Sequence, residues 1–363
     1  MANPNTDTLD ADGLLALLDA IGRAETAGTV TAADASYARR AIVDRLVGPP
    51  PDGHVARTER LHYLHKGERD VERTVSVPVE VTREFVVAEG FLGFGRKTEQ
   101  RVVVEQQTKT ERVRERGEVA FEMVVIPPCS FMMGSPASEQ GRDDHETQHL
   151  VRLTRVYALC TTPVTQELWT SVMGANPAKF QSGADAAKRP VERVSWFDAV
   201  RFCNVLSVKL KLRPAYTIGA GDKPNINVEW NADGFRLPTE AEWECAARAG
   251  TSHVYAGGDD LDAVAWHAGN SGSTTHAVAQ KRANVWGLHD MSGNVWEWCQ
   301  DVYGDYSSGA VTDPSGAASG ACRVLRGGSW YDDPQSARVA SRFSDDPAHC
   351  IDFIGFRLSR TYT

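Results

Sequence analysis

From Phe121 to the C-terminus the chain is a succession of short apolar runs, each soon broken by glycine, proline or asparagine. This pattern restricts the fold more than any other feature, because it leaves room for few long elements. Three helix starts stand out in it. One follows Thr165 and ends at Gly174. A second follows Ser195, with Asp198 three residues on and Phe202, Val205 and Leu206 behind it. The third opens at Thr239 and Glu242, the spacing of a capping box, and ends at Gly250. Nine tryptophans crowd this same part of the chain, and side chains of that size fill a core that regular structure does not. The pattern predicts an α+β domain, irregular and turn-rich, held by indoles more than by a large sheet.

The residues before it read differently. Residues 1–50 predict a helical hairpin: Leu14, Leu15, Leu17, Leu18 and Ile21 recur at helical spacing after Asp10 and Asp12, and Gly28 closes that helix. Thr31 opens a second, with Ala38, Ile42 and Leu46 on one face, and Gly48 with Pro49, Pro50 and Pro51 stops it. So small a pair buries little alone, which predicts that it oligomerises or docks on another protein. Residues 51–118 predict a linker and a β-ribbon. Val75, Val77, Val79 and Val81 alternate with polar residues, as do Val102 and Val104, around a glycine turn at Gly90–Gly95. Pro78 marks an edge strand. The GxxGxG spacing has no helix behind it, so it is a turn and not a phosphate loop.

Charge and cysteine usage exclude several classes. A formal net charge of -9 disfavours nucleic acid as a partner, and glutamates interleave the basic residues of the ribbon. The N-terminus has no basic segment ahead of its short apolar run, and no later run approaches a membrane span. The expectation is a cytoplasmic or phage-borne protein with no membrane partner. The seven cysteines form no CxxC pair, which favours buried free thiols over a zinc or thioredoxin-type site. His145 and His149 have metal-like spacing, yet their acidic neighbours suggest an exposed turn.

The segments FEMVVIPPCSFMMGS, TPVTQELWTSVMG, RPVERVSWFDAVRFCNVL, FRLPTEAEWECAARAG, NVWGLHDMSGNVWEWCQD, RVLRGGSW and IGFRLSR occur in that order. Together they resemble the formylglycine-generating-enzyme (sulfatase-modifying factor) domain, a variant of the C-type lectin fold, over residues 119–363. The family's enzymes oxidise a substrate cysteine with a pair of copper-binding cysteines. The matching positions here are Asp332 and Ala337, which cannot supply thiolates. The resemblance therefore implies no copper and no oxidase, with a copper oxidase as the rival reading. A related iron-dependent branch needs a histidine cluster, and His54, His62 and His65 have no matching set beside them. The resemblance also implies a structural calcium held by Asp290, Gly293, Val295 and Glu297. Hard oxygen donors in a glycine turn suit that ion, but Asp290 and Glu297 could equally satisfy buried backbone amides.

The stretch between Trp330 and Ile354 resembles the variable region of proteins diversified by diversity-generating retroelements. In these, error-prone copying at adenines turns chosen codons into NNC, which cannot encode Met, Trp, Gln, Glu or Lys. The positions that read as substituted are Tyr331, Asp332, Asp333, Ser336, Val339, Ser341, Phe343, Ser344, Asp345, Asp346, His349, Cys350, Ile351, Asp352 and Phe353, and none is a forbidden type. Aromatics among so many carboxylates would be costly to bury, and that mixture suits an adaptable binding surface. The reading that follows is a non-catalytic ligand-binding protein with a diversified face at about 331–353, its ligand a protein or other macromolecule. The rival is a defence or signalling adaptor with the same domain as its sensor. Gly327 and Gly328 are expected to permit a tight backbone, Trp330 to anchor the core, and Arg338 and Arg342 to pair with carboxylates beneath the face.

Overall fold

The computed structural model describes residues 58–88, 97–221 and 224–361, with side chains described from residue 120 onward. The hairpin expected over 1–50 and the glycine turn at 90–95 lie outside the described residues. Strands β1 (Thr58–Ala88) and β2 (Lys97–Ile126) flank that turn, and Pro78 falls in β1, the terminal strand of its sheet. The chain divides into two compact units. One is Tyr63–Val119, the paired lengths of β1 and β2; the other is the body from Ala120 onward.

In chain order the body continues with β3 (Cys129–Met133), β4 (His149–Leu153), β5 (Tyr157–Cys160), α1 (Gln166–Met173) and α2 (Trp196–Lys209). Then come β6 (Tyr216–Ile218), β7 (Ile226–Val228), β8 (Phe235–Arg236), α3 (Glu240–Arg248) and the single turn α4 (Leu261–Val264). The last part holds β9 (Trp296–Val302), β10 (Val311–Thr312), β11 (Arg323–Arg326), β12 (Arg342–Asp345), β13 (Ile354–Gly355) and β14 (Ser359–Thr361). The three long helices start where the caps predict. Thr165 caps α1, and capping boxes at Ser195/Asp198 and Thr239/Glu242 open α2 and α3. Each box satisfies two amides that a helix start otherwise leaves unpaired.

Two sheets organise the body. The end of β2 pairs antiparallel with β5, and β14 lies between β5 and β8. A second sheet has the order β12-β11-β9-β13 and carries the segment of interest at its edge. Trp196, Trp243 and Trp298 are fully buried in the body, and so are Arg236, Arg326 and Arg357. Three buried arginines need three buried partners, and α3 supplies two. Glu242 takes both terminal nitrogens of Arg236 at 2.6 Å, and Glu244 takes Arg326 and Arg248. Glu240, on the same helix, takes Arg342 at 2.6 and 2.9 Å. The core is thus built on ion pairs as well as indoles, which the tryptophan count did not foretell.

One expectation fails here. The histidine segment is not an exposed turn throughout: His145 is exposed, but Glu146 and His149 are buried. The ring of His149 packs on Tyr306, and its Nδ1 meets the Thr147 carbonyl at 2.9 Å. Among the described residues no cluster of three or more His, Cys, Asp or Glu side chains is placed to hold a metal.

Candidate ligand-binding face

Strand β11 is followed by Gly327 and Gly328, both at positive φ (99° and 72°). A Cβ on Gly328 would lie 2.9 Å from the Ser336 carbonyl group, so only glycine allows the following loop to fold back here. Trp330 then turns inward. Its ring packs edge-on against Phe180, and its Nε1 donates to the Asp352 carbonyl at 3.0 Å, tying the two ends of the segment together. Next to it the chain emerges. Tyr331 is 64% exposed and stacks on Phe353 at 5.9 Å between ring centres. Phe343, 47% exposed on β12, leans on Trp296 at 5.4 Å.

Trp296 joins these two aromatic pairs. Its backbone N–H donates to the Phe353 carbonyl at 2.9 Å, and its Nε1 donates to Asp332 Oδ2 at 2.8 Å. Burial pushes the Asp332 carboxyl above its ordinary range, against the opposing bonds from Ser329 and Trp296. Carboxylates rim the strip: Asp333 is exposed, Asp345 pairs with exposed His349 at 2.7 Å, and Asp352 pairs with Lys179. Asp346 Oδ1 accepts from the Ala348 N–H at 2.9 Å, which closes the turn that leaves Cys350 exposed. Ser336, Ser344 and Ile351 are half-buried.

Two of the fifteen positions do not belong to a face. Val339 is 1% exposed and packs in the core, with its N–H on the Val254 carbonyl. Ser341 is also buried. Both lie in the run Ala337–Ser341, which the arginine clamps draw inward, so neither side chain can point outward as the NNC pattern predicts. Arg338 and Arg342 behave as expected. Arg338 holds Glu146 at 2.5 and 2.9 Å and Glu139 at 2.7 Å, while Arg342 holds Glu240 and lies over the Tyr306 ring. Arg326 adds a third clamp by donating to the carbonyls of Val339 and Ala340.

Sequence reasoning missed three contributors: Trp296, Lys179 and Phe180. Trp296 was visible only as a core indole. Lys179 and Phe180 come from a loop whose amides both donate to Glu192 Oε1, at 2.6 and 2.9 Å. Burial raises the Glu192 carboxyl to about 7, with the charge of Asp352 adding to the rise.

The expected calcium ligands do not form an oxygen cage. Both oxygens of Glu297 are taken: Arg357 Nε and Nη2 donate at 2.6 Å each, and Trp243 Nε1 donates at 2.7 Å. Asp290 accepts from the Ala279 N–H and from Asn294. The Gly293 carbonyl accepts the Val295 N–H at 3.0 Å. A calcium ion at Glu297 would have to share its carboxylate with a guanidinium, so the donor set does not fit. The reading in which these carboxylates satisfy buried N–H groups describes the geometry.

Short helices and small sheets around an irregular, indole-filled core, with a long loop set on the β9–β11–β12 sheet, define the C-type lectin fold in its formylglycine-generating-enzyme form. The family described as "Sulfatase-modifying factor enzyme 1-like domain" matches residues 108–362, and the chain belongs to it. It is 38% identical to Treponema denticola variable protein 1, with a TM-score of 0.62 over 67% of this chain and 96% of that one. It is 37% identical over 168 residues to the Formylglycine-generating enzyme of Streptomyces coelicolor, covering 39% of this chain and 54% of the enzyme, about half its length. It is 28% identical over 278 residues to the Inactive C-alpha-formylglycine-generating enzyme 2 of Mus musculus, covering 65% of this chain and 85% of that one. Its relatives thus include proteins named as enzymes and proteins named inactive. No helix among the described residues is long and apolar enough to cross a membrane.

Proposed function

We propose that this chain is a non-catalytic ligand-binding protein of the diversity-generating-retroelement variable type, presenting a macromolecule-binding face at Tyr331–Phe353. The observation that carries this reading is the division of labour within the segment. Of the seven residues read as a fixed frame, Ala337, Arg338, Ala340 and Arg342 turn inward or are clamped, while Pro334 and Gln335 are exposed and Pro347 is half-buried. Thirteen of the fifteen residues read as variable are exposed or half-buried, among them the two most exposed aromatic rings of the segment. Likeness to a variable protein supports it. At the positions where the oxidases carry their cysteine pair stand Asp332, engaged by Trp296 and Ser329, and Ala337, buried in the frame.

The test is a library in which Tyr331, Asp333, Phe343, Asp346, His349 and Phe353 vary among NNC-encoded residues, selected on immobilised hen lysozyme and, separately, on serum albumin. A face built for exchange yields folded members with distinct, target-specific binding, because exposed aromatic anchors dominate interface energies. Loss of folding in most members, or no specific binder for either target, would refute the proposal.

A further inference from the structure

We propose that Cys129 and Cys245 form a dithiol site that a small-molecule disulfide oxidises to an intramolecular disulfide, covalently tying β3 to α3. Their sulfurs lie 2.7 Å apart, although the residues are 116 positions apart in sequence. A disulfide needs about 2.05 Å, so closure requires only a small further approach of two groups already in contact. No other pair of the seven cysteines is in such contact: Cys160, Cys203 and Cys299 are buried singly, and Cys322 and Cys350 stand apart nearer the surface.

The two thiols differ in the way a stepwise exchange requires. Cys129 is half-buried and within reach of a small reagent, whereas Cys245 is buried in a core cluster to which β2 to β5, α3, β9 and β11 contribute. The Cys129 thiolate attacks a disulfide RS–SR, forming the mixed disulfide Cys129–S–S–R and releasing RS⁻. The Cys245 thiolate then attacks the Cys129 sulfur, the second RS⁻ leaves, and both take up the protons that the two thiols lost. The protein loses two hydrogens and the reagent becomes two RSH. The hydrogen bond with Cys129, together with burial, pushes the Cys245 thiol well above its ordinary range. Closure is therefore slow near neutrality and faster in mild alkali.

The bond would sit where it matters to the frame of the candidate face. Helix α3 carries Glu240 and Glu244, which hold Arg342 and Arg326. Strand β3 runs into Gly134, whose N–H donates to Glu244 Oε1 at 2.8 Å and whose carbonyl accepts Arg248. A covalent link between β3 and α3 joins both sides of that network.

The experiment incubates the purified full chain with oxidised glutathione at pH 8.5, blocks remaining thiols under denaturing conditions, and reads intact mass and a proteolytic map. The expected product has five blockable thiols in place of seven, is lighter by two hydrogens before blocking, and yields a crosslinked peptide pair containing Cys129 and Cys245. Its Tm rises by several degrees over the reduced chain, since the link closes a long loop. Cys129→Ala, a change at a half-buried edge, abolishes both the crosslink and the gain in Tm. Cys245→Ser does the same where it folds. Glutathione retained on Cys129 without closure, a crosslink between other cysteines, or seven free thiols after prolonged exposure would each overturn the proposal.

Discussion

Replacing Arg338 by methionine tests the frame of the candidate face directly. Arg338 is 2% exposed and its guanidinium makes three bonds to carboxylates, two to Glu146 and one to Glu139. Methionine keeps much of the volume but leaves Glu146, 1% exposed, as a buried charge without its counter-ion. Removing one partner of such a pair costs about 3–5 kcal/mol. For a body of this size that is about 8–15 °C in Tm. The pH dependence follows from Glu146. Burial pushes its carboxyl up, but the bonds and charge of Arg338, with Ser135, outweigh that and leave it below the usual value. A carboxyl lowered in the folded state contributes stability above its unfolded pKa of about 4.5, and the contribution is lost as pH falls through the folded value. The gap between wild type and Arg338→Met is therefore widest above pH 5 and narrows in acid. Urea denaturation across pH 3–8 measures it. A gap under about 1 kcal/mol at pH 7 would refute the claim that this clamp holds the loop.

Four further outcomes are expected. Val339→Ala removes two buried carbons and costs about 2 kcal/mol, whereas Phe343→Ser on the exposed strip costs about 1 kcal/mol or less; equal losses would contradict the division into frame and face. Glu192, raised to about 7, makes stability fall as pH rises from about 4.5 to 7, and Glu192→Gln flattens that slope in a pH series of thermal melts. Chelation with EGTA leaves Tm unchanged because Arg357 and Trp243 occupy Glu297; a drop of several degrees would restore the calcium site. A sulfatase-type cysteine peptide incubated with the chain and copper keeps its thiol, and mass spectrometry showing an aldehyde in that peptide would return the chain to the oxidases.

Much of the fold was legible because its signals are local. Thr165, Ser195/Asp198 and Thr239/Glu242 start helices by bonds within four residues, so three starts could be placed from sequence alone. The glycine pair after β11 was legible for the same reason, as was the exposure of Tyr331 and Phe343. What could not be read depends on partners far along the chain. Glu240, Glu242 and Glu244 look like the acidic first turns of an exposed helix, and only the folded body brings Arg342, Arg236 and Arg326 to them. Glu146 read as surface because its partner Arg338 lies 192 positions away. Val339 read as variable because valine has an NNC codon, and codon arithmetic carries no information about burial. The surroundings of Glu297 were hidden for the same reason: it matches a ligand position in sequence, and its partner Arg357 lies 60 residues on.

The kind of force that holds the loop bears on how such a face tolerates change. A loop fixed by apolar packing needs its own side chains inside, and each exchange then opens a cavity or overfills one. This loop has Ala337, Val339 and Ala340 inside and is also fixed by directional bonds from three guanidinium groups. Arg326 grips the carbonyls of Val339 and Ala340, Arg338 reaches Glu146 and Glu139, and Arg342 reaches Glu240. Two of the three arginines lie within the loop at frame positions, and the third binds only its backbone. A clamp on a carbonyl acts whatever side chain that residue bears. Buried ion pairs add little net stability compared with apolar groups of equal volume, but they fix where the backbone runs. That fixed path leaves Tyr331, Asp333, Phe343 and His349 exposed, with Tyr331 stacked on Phe353, Phe343 leaning on Trp296 and His349 paired with Asp345.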